Sequence, residues 1–422
     1  MRKFIYSAAL FAVAVFTSCS SSDDNYNKYA DRSYGISAMS ACSELSTALS
    51  VAYSEINNAN LTEAQKTELQ NILDKIADDV IVETYKQLGD AAVEMQDALG
   101  TLKSDEISQE NIDKACTAFK KARKLWENSE AFLGGAASDF DIDPHIDSWP
   151  LNRDLLHQYL ASGKSDYTEE QMEDATILGF HALEFILFRD GQNRKVAEFQ
   201  GYDTYKDFTD IKGETELAYA EAVIADLVNH VFELQVAWQE NPDATRLKAV
   251  QDAGLDYLVE KTNKSYGYNL KHAGNSSEST FGTLKAAIQQ ILSRTEGSCR
   301  GISDEVGTKK IANPFANGDV SYVESPYSYN SITDFANNIR SIENVWYGGM
   351  NGSSSNATYS FHKFFAENSS AVGKRVENAI ADAIAKIEAM PYPFVNYCST
   401  IWNVKFEDAE LVEYPEEEGE EE

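Results

Sequence analysis

A histidine and a carboxylate stand three residues apart in the segment Gly179-Phe-His-Ala-Leu-Glu184, the part of the chain best suited to chemistry. The segment is apolar and typical of a buried helix, and residues i and i+3 of a helix share a face. His181 and Glu184 could therefore point at one metal ion. A core histidine that hydrogen-bonds to its neighbouring carboxylate explains the same residues, and both interpretations stay open on this evidence.

The densest polar segment of the chain is Asp139-Phe-Asp-Ile-Asp-Pro-His-Ile-Asp-Ser-Trp-Pro150. Its content of Pro, Asp and aromatic residues predicts a loop rather than a helix. Side chains alternate along extended backbone, so we expect His145 and Asp147 to lie on the same side. Such a loop either coordinates a ligand or braces a packing joint through Asp side chains that accept from backbone N–H groups.

Helices must position these residues, because nearly every periodic stretch of the chain is helical. Thr62-Glu-Ala-Gln65 has the form of a capping box, and Ser108 is a second helix N-cap. No sustained period-2 alternation with hairpin signals intervenes. The sequence therefore predicts an all-α protein of helical bundles.

The length of the chain predicts two domains, because about 400 residues exceed the size at which a single core stops growing. We expect an N-terminal bundle over residues 34–212 and a C-terminal bundle over residues 213–404. Glu130-Ala-Phe-Leu-Gly-Gly135 and Glu343-Asn-Val-Trp-Tyr-Gly-Gly349 resemble each other. Either the two bundles are related or the resemblance arises by chance.

The N-terminal segment has the pattern of a lipoprotein signal. Two basic residues precede an apolar run over residues 4–16, which is too short to span a membrane, and the run ends at Phe16-Thr-Ser-Cys19. We expect residues 1–18 to be a signal peptide, Cys19 to be lipidated and residues 19–33 to form a tether. The protein would then lie in the cell envelope, anchored to the outer membrane on its periplasmic or surface-exposed face. An uncleaved anchor and a plain secretory signal are the alternatives.

The chain is strongly acidic, with a net charge of −32, and loss of residues 1–18 with Arg2 and Lys3 would bring it to −34. Such a field repels phosphate backbones and attracts cations, so nucleic acid is not an expected partner. Residues 405–422 contain six glutamates between Glu416 and Glu422 and are expected to be a disordered tail. The sequence leaves open whether the remaining cysteines are buried thiols or form two disulfides; they are Cys42, Cys116, Cys299 and Cys398.

Five motifs together resemble the imelysin family of bacterial envelope proteins, and the resemblance spans roughly residues 35–404. The motifs are Trp126-Glu-Asn-Ser-Glu-Ala-Phe-Leu133, Asp141-Ile-Asp-Pro-His-Ile-Asp-Ser-Trp-Pro-Leu151, Gly179-Phe-His-Ala-Leu-Glu184, Ser325-Pro-Tyr-Ser-Tyr-Asn-Ser-Ile-Thr-Asp334 and Asn338-Ile-Arg-Ser-Ile-Glu343. The third motif matches the family's GxHxxE pattern completely. Gly134 and Ala136 depart from the family, because many members have an aromatic residue and a proline there.

The resemblance implies two related helical bundles packed against each other, with a site at their interface that carries the His181 and Glu184 pair. The family was named for a metallopeptidase and includes proteins associated with iron acquisition. Iron or another divalent metal ion is the implied cofactor, held by His181, Glu184 and Glu130. Further binding or orienting residues are expected to be His145, Asp147, Trp126, Trp149, Asp334 and Glu343.

Three functions are compatible with these residues. The first is a lipid-anchored envelope protein that serves iron uptake by binding a metal ion or an iron-bearing ligand at the domain interface. The second is a zinc metallopeptidase, although the helical HExxH pattern is absent and His181 and Glu184 supply two ligands at most. The third is an accessory subunit of an outer-membrane receptor, in which the pair of side chains is purely structural. Binding needs only the ligands, whereas hydrolysis also needs a poised base, so binding without proteolysis is the simpler hypothesis.

Overall fold

The computed structural model describes residues 27–102, 107–162 and 174–411. The predicted signal peptide, the Cys19 lipidation site and most of the acidic tail lie outside the described residues. Within them, Tyr29 of the predicted tether donates a hydrogen bond from its hydroxyl to the Tyr392 carbonyl at 2.5 Å. At the other end, Asp408 forms an ion pair with Lys206 at 2.9 Å.

Helices account for most of the described chain, as the sequence predicts. The α-helices are α1 (Ser33–Asn58), α2 (Glu63–Lys75), α3 (Glu83–Leu99), α4 (Gln109–Glu127), α5 (Ala136–Asp139), α6 (Asp143–Asp147), α7 (Arg153–Ala161), α8 (Gly179–Leu187), α9 (Val196–Phe199), α10 (Gly213–Trp238), α11 (Ala244–Asp252), α12 (Tyr266–Lys271), α13 (Leu284–Leu292), α14 (Cys299–Glu305), α15 (Ser331–Tyr347), α16 (Phe361–Asn368), α17 (Ser370–Glu388) and α18 (Phe394–Trp402). Short 3₁₀ turns cover Lys28–Ala30, Glu130–Phe132, Ala175–Ile177, Val320–Tyr322, Gly352–Ser354 and Phe406–Asp408. Wider π-helical turns cover Ile76–Val82, Val306–Lys310 and Asn313–Asn317.

Strands contribute very little to the described part of the chain. The two-residue strands β1 (Phe188–Arg189) and β2 (Gln192–Asn193) pair antiparallel, with Phe188 opposite Asn193. The prediction of an all-α helical-bundle fold is confirmed. Among the described residues, no helix combines the length and apolar character needed to cross a membrane.

Capping side chains start the helices where the sequence predicts. The Thr62 hydroxyl accepts from the Gln65 backbone N–H, and the Gln65 side chain accepts from the Thr62 backbone N–H, which completes the capping box of α2. Ser108 accepts from the Asn111 N–H at the start of α4. Both predicted N-caps are confirmed.

Helices from the two halves of the sequence pack against each other extensively. Helix α1 lies mainly on α17 and α14, whereas α10 lies on α3 and α8. Helix α15 also crosses α4, and the largest fully buried side chains include Trp126 on α4 and Trp346 on α15. The predicted division into residues 34–212 and 213–404 stays a prediction.

The four cysteines are free thiols with buried side chains, which resolves the alternatives that the sequence leaves open. Burial is also the largest cause of their raised pKa, which is about 12 for Cys42. These residues fill the helical core as small apolar side chains.

Candidate functional site

A fully buried arginine, Arg123 on α4, lies at the centre of the candidate site. Its Nη2 lies 2.6 Å from Glu127 Oε1 and 2.7 Å from Glu324 Oε1. Its Nη1 contacts Asp147, and its Nε lies 3.6 Å from Asp334 Oδ2. One guanidinium therefore gathers four carboxylates from different parts of the chain.

The geometry of helix α4 explains part of this arrangement. Arg123, Trp126 and Glu127 are spaced i, i+3 and i+4, so they share the buried face of the helix. Trp126 Nε1 donates to Asp147 Oδ2 at 2.6 Å, which satisfies the indole N–H in the core. The predicted association of Trp126 with the polar motif is thus seen as a direct hydrogen bond to Asp147.

Asp147 also contacts the histidine of the GxHxxE motif. His181 Nε2 lies 3.2 Å from Asp147 Oδ1, and its Nδ1 lies 3.5 Å from Glu184 Oε2. Burial and the nearby Arg123 oppose a proton on His181, but the hydrogen bonds to Asp147 and Glu184 outweigh them and raise its pKa to about 9. Burial likewise opposes ionisation of Asp147, but Arg123 and His181 lower its pKa below the ordinary value. Asp147 and His181 therefore form a buried carboxylate–imidazolium pair.

The glycine of the motif allows α8 to approach the segment that carries Asp147. Gly179 has a φ of +67°, and a Cβ atom there would lie 2.3 Å from the Ile146 carbonyl oxygen. Any other residue would push α8 away from α6 and separate His181 from Asp147.

Glu184 is held mainly by the segment that follows Glu324. Its Oε1 accepts from the Tyr327 N–H at 3.0 Å and from the Ser328 N–H and hydroxyl, both at 2.7 Å. Oε2 is the oxygen that faces His181. Glu184 thus orients His181 and fixes the 327–328 backbone at the same time.

A second buried cation completes the network. Lys310, at the end of a π-helical turn, lies 3.0 Å and 3.2 Å from the two oxygens of Glu324. Ser325 donates to Asp334 Oδ2 at 2.6 Å, and Asn338 of α15 donates to Glu127. The predicted residue Asp334 is therefore part of the site.

Carboxylates outnumber cationic groups in this network. Arg123, Lys310 and His181 are the groups that carry positive charge among the described residues of the network. The carboxylates of the network are Glu127, Glu130, Asp143, Asp147, Glu184, Glu324 and Asp334. This excess of negative charge favours uptake of protons or of a cation.

The pKa shifts of the outer carboxylates follow first from burial and then from this excess of negative charge. Burial raises the pKa of Glu130 well above its usual range, and Asp143, Glu305 and Asp147 add to the shift against the opposing effect of Lys310. Burial, with Asp147 and Glu305 adding to it, raises the pKa of Asp143 to about 7. Both shifts favour the protonated forms of these two carboxyl groups.

An acidic cavity of about 680 Å³ opens beside Glu130, Asp143 and Asp147. Its lining also includes Trp149, whose ring centroid lies 4.0 Å from that of Tyr322, and the Lys310 ammonium lies 5.4 Å from the Trp149 ring. The predicted residues Glu130, Asp147 and Trp149 therefore face one cavity, and His181 lies behind Asp147.

The structure does not bring His145 to this cavity with Asp147. The prediction of an extended loop with both side chains on one side was wrong, because residues 143–147 form α6. Neighbours two apart in a helix are rotated by roughly 200°, so the two side chains diverge. His145 Nδ1 instead lies 3.1 Å from Asp226 Oδ2, and its ring centroid lies 4.0 Å from that of His230.

Glu343 is also placed away from the network. Its carboxylate accepts from the Ser353 N–H at 3.2 Å and packs against Gly352 at the far end of α15. The similarity to the segment around Glu130 therefore does not put the two glutamates in one site.

Sequence reasoning missed the residues that hold the site together. Arg123, Glu127, Lys310 and Glu324 are in the network but were not predicted. The signal for the first two was an arginine and a glutamate four residues apart on the tryptophan-bearing face of a predicted helix. Glu324 immediately precedes the motif that begins at Ser325, and no local pattern marks Lys310.

The carboxylates at the cavity are better suited to a cation than the motif pair is. Candidate ligand atoms of Glu127, Glu130 and Asp147 lie within 4.8 Å of one another, as do those of Asp147, His181 and Glu324. Both ring nitrogens of His181 face carboxylates, however, and Arg123 Nη2 lies 3.5 Å from its Nε2. The oxygen-rich group of Glu127, Glu130 and Asp147 offers the donor atoms that suit a hard cation. Glu127 and Asp147 also pair with Arg123, whereas no ion pair joins Glu130 to it among the described residues.

The sequence is similar to a family model and to a named bacterial protein. The family model described as Imelysin, labelled peptidase M75, matches residues 81–410. Iron-regulated protein A of Synechococcus elongatus is 26% identical over 316 residues, which cover 75% of this chain and 74% of that protein.

Two solved structures resemble the fold. A protein of Parabacteroides distasonis described as an iron-regulated protein A precursor has a TM-score of 0.66 and 28% identity, and the match covers 82% of this chain and 92% of that chain. An imelysin-like protein of Psychrobacter arcticum has a TM-score of 0.51 and 12% identity over 82% of this chain and 98% of that chain. The second match supports the fold alone.

Proposed function

Since the chain belongs to the imelysin family, we propose that it is a lipid-anchored envelope protein that serves iron uptake. In this proposal it binds a metal ion or an iron-bearing ligand in the cavity beside Glu130, Asp143 and Asp147. The relatives from Synechococcus and Parabacteroides are both named as iron-regulated proteins, which supports a role related to iron.

The excess of carboxylates at the cavity is the observation that carries the proposal. Without a cation, burial and the neighbouring carboxylates raise the pKa values of Glu130 and Asp143 and favour their protonated forms. A bound cation would replace those protons and relieve the electrostatic repulsion. Oxygen ligands suit hard cations, and the strongly negative chain increases the local concentration of cations.

The residues have different roles in this proposal. Glu130 and Asp147, supported by Asp143, would hold the cation. His181 would orient Asp147, and Glu184 would orient His181 and anchor the backbone at residues 327–328. The sequence instead favours His181 and Glu184 themselves as ligands, and their engagement with other carboxylates and with backbone groups argues for the orienting role.

A zinc peptidase is less well supported by the same geometry. Hydrolytic zinc sites use ligands with a free donor atom and keep one position open for water. The one histidine of the network has both nitrogens directed at carboxylates. An accessory subunit of an outer-membrane receptor, in which His181 and Glu184 are purely structural, is compatible with the hydrogen bonds that Glu184 accepts. A measurement of iron binding separates this function from that of a metal-binding protein.

The test is iron binding by metal-stripped protein, measured by anaerobic titration with Fe²⁺ and by titration with ferric citrate. We expect the double variant Glu130→Gln/Asp143→Asn to lose affinity by at least 10-fold, because it removes two of the carboxylates that face the cavity. Glu343→Gln is the matched control and should bind as the wild type does. Both changes in the double variant mimic protonated carboxyl groups, so the fold should be kept, and circular dichroism would verify this.

Equal affinity of the double variant and the wild type would refute the cavity as the binding site. No iron bound in either form by the wild type would refute iron binding and favour the accessory subunit. The proposed anchor is tested separately by the change Cys19→Ala, which should move the protein from the membrane fraction to the soluble fraction.

A further inference from the structure

A second group of metal-ligating side chains lies where α6 meets α10, and it takes no part in the Arg123 network. Asp226, His230 and Glu233 are spaced i, i+4 and i+7 along α10, so they lie on one face of that helix. His145 of α6 completes the group from the other side. Ligand atoms of His145, Asp226 and His230 lie within 4.8 Å of one another.

The partners of the two ring nitrogens of His230 determine which nitrogen is available to bind a metal ion. Its Nδ1 lies 2.8 Å from Glu233 Oε2, and its Nε2 lies 3.5 Å from Asp226 Oδ1. A histidine that binds a metal usually gives its other ring N–H to a carboxylate, which fixes the tautomer and the ring orientation. Glu233 is placed for that role, and it leaves Nε2 directed toward Asp226.

The distances around Asp226 fit a coordination sphere. Metal–ligand bonds of about 2.0–2.2 Å separate neighbouring donors by about 2.8–3.6 Å in octahedral and tetrahedral sites. Asp226 Oδ2 lies 3.1 Å from His145 Nδ1, and Asp226 Oδ1 lies 3.5 Å from His230 Nε2. Both distances fall within the range that separates neighbouring ligands of one metal ion, and the carboxylate can offer either oxygen.

We infer that His145, Asp226 and His230 form a second metal site, specific for a divalent transition metal and oriented by Glu233. Two imidazole nitrogens and one carboxylate suit Zn²⁺ or Fe²⁺ better than Mg²⁺ or Ca²⁺. The His145 side chain is 29% exposed, whereas the side chains of Asp226, His230 and Glu233 are at most 8% exposed. The ion would therefore enter past His145, and this inference does not depend on the proposed function of the carboxylate cavity.

The test is zinc binding by the metal-stripped full chain, measured by calorimetry and by competition with a chromogenic chelator. We expect His145→Ala to lower zinc affinity by more than about 100-fold, since it removes a ligand, and Glu233→Gln to lower it by about 10–100-fold, since it removes the orienting carboxylate. His145→Cys supplies a thiolate at the same position and should retain zinc. A hydrogen-bonded histidine without a metal role would not be rescued in this way.

His157→Ala is the matched control, because His157 is 30% exposed and pairs with one carboxylate, Asp210, at 2.9 Å. It should bind zinc as the wild type does. His145 lies at the exposed edge of the group, so its loss should leave the fold intact, as circular dichroism would verify. Equal zinc affinity of His145→Ala and the wild type, or no zinc bound by the wild type, would overturn the inference.

Discussion

Replacing Glu184 with alanine should destabilise the metal-free protein by about 2–6 kcal/mol. Glu184 is completely buried, and its Oε1 accepts from the backbone N–H groups of Tyr327 and Ser328 at 3.0 Å and 2.7 Å. A buried donor that loses its partner costs about 1–3 kcal/mol, and this change removes the acceptor of two such donors. The estimate needs no contribution from a metal ion.

Glu184→Gln is the informative control because it keeps the shape of the side chain. The amide oxygen can take the place of Oε1 and keep the bonds to residues 327–328. The amide nitrogen would then face His181 Nδ1, where the carboxylate lay at 3.5 Å. We expect a smaller loss, of about 1–2 kcal/mol, from weakening this one charge-assisted contact.

Urea denaturation, followed by circular dichroism and tryptophan fluorescence, measures the change in the free energy of unfolding. Hydrogen exchange gives a local measurement, because the amides of Tyr327 and Ser328 should lose protection in the alanine variant and keep it in the glutamine variant. If alanine changed the free energy of unfolding by less than about 1 kcal/mol, the structural role of Glu184 would be refuted. A role as a metal ligand alone would then be the better explanation.

Two further predictions concern the core and the buried arginine. The four buried cysteines should not react with a thiol reagent at pH 8 in the native protein and should all react in denaturant; they are Cys42, Cys116, Cys299 and Cys398. They are buried, and a pKa of about 12, as for Cys42, leaves only about one thiol in 10,000 as the thiolate at pH 8. Rapid labelling of the native protein would contradict this. Arg123→Lys should destabilise the protein by about 3–5 kcal/mol in urea denaturation, since lysine cannot satisfy the buried carboxylates that the guanidinium holds. Arg340→Lys is its control, because Arg340 pairs with the exposed Glu388, and that change should stay below about 1 kcal/mol; equal effects of the two changes would disprove the central role of Arg123.

The sequence could predict the fold because local signals determine it. Apolar periodicity indicates the helices, and the caps at Thr62 and Ser108 depend on residues three positions away. The site depends instead on contacts between distant residues. Arg123 and Glu324 are 201 residues apart, and no pattern within either segment indicates that they meet.

The error at His145 has a local cause. Pro144 stands in the first turn of α6, a position that proline tolerates well, so the proline did not exclude a helix there. Because residues 143–147 are helical, the side chains of this short segment point toward two different sites. Asp143 and Asp147 face the carboxylate cavity, and His145 faces α10.

The spacing that first drew attention to His181 and Glu184 occurs again at His230 and Glu233, and the contrast between the two pairs is informative. In each pair the glutamate faces Nδ1 of the histidine, and Nε2 faces an aspartate. The aspartate of the first pair, Asp147, already contacts a fixed cation, Arg123. Among the described residues, the ion-pair partners of Asp226 are the two imidazoles. A mobile cation must compete with the arginine near the first pair but not near the second, so the same spacing favours an orienting role at His181 and a ligand role at His230.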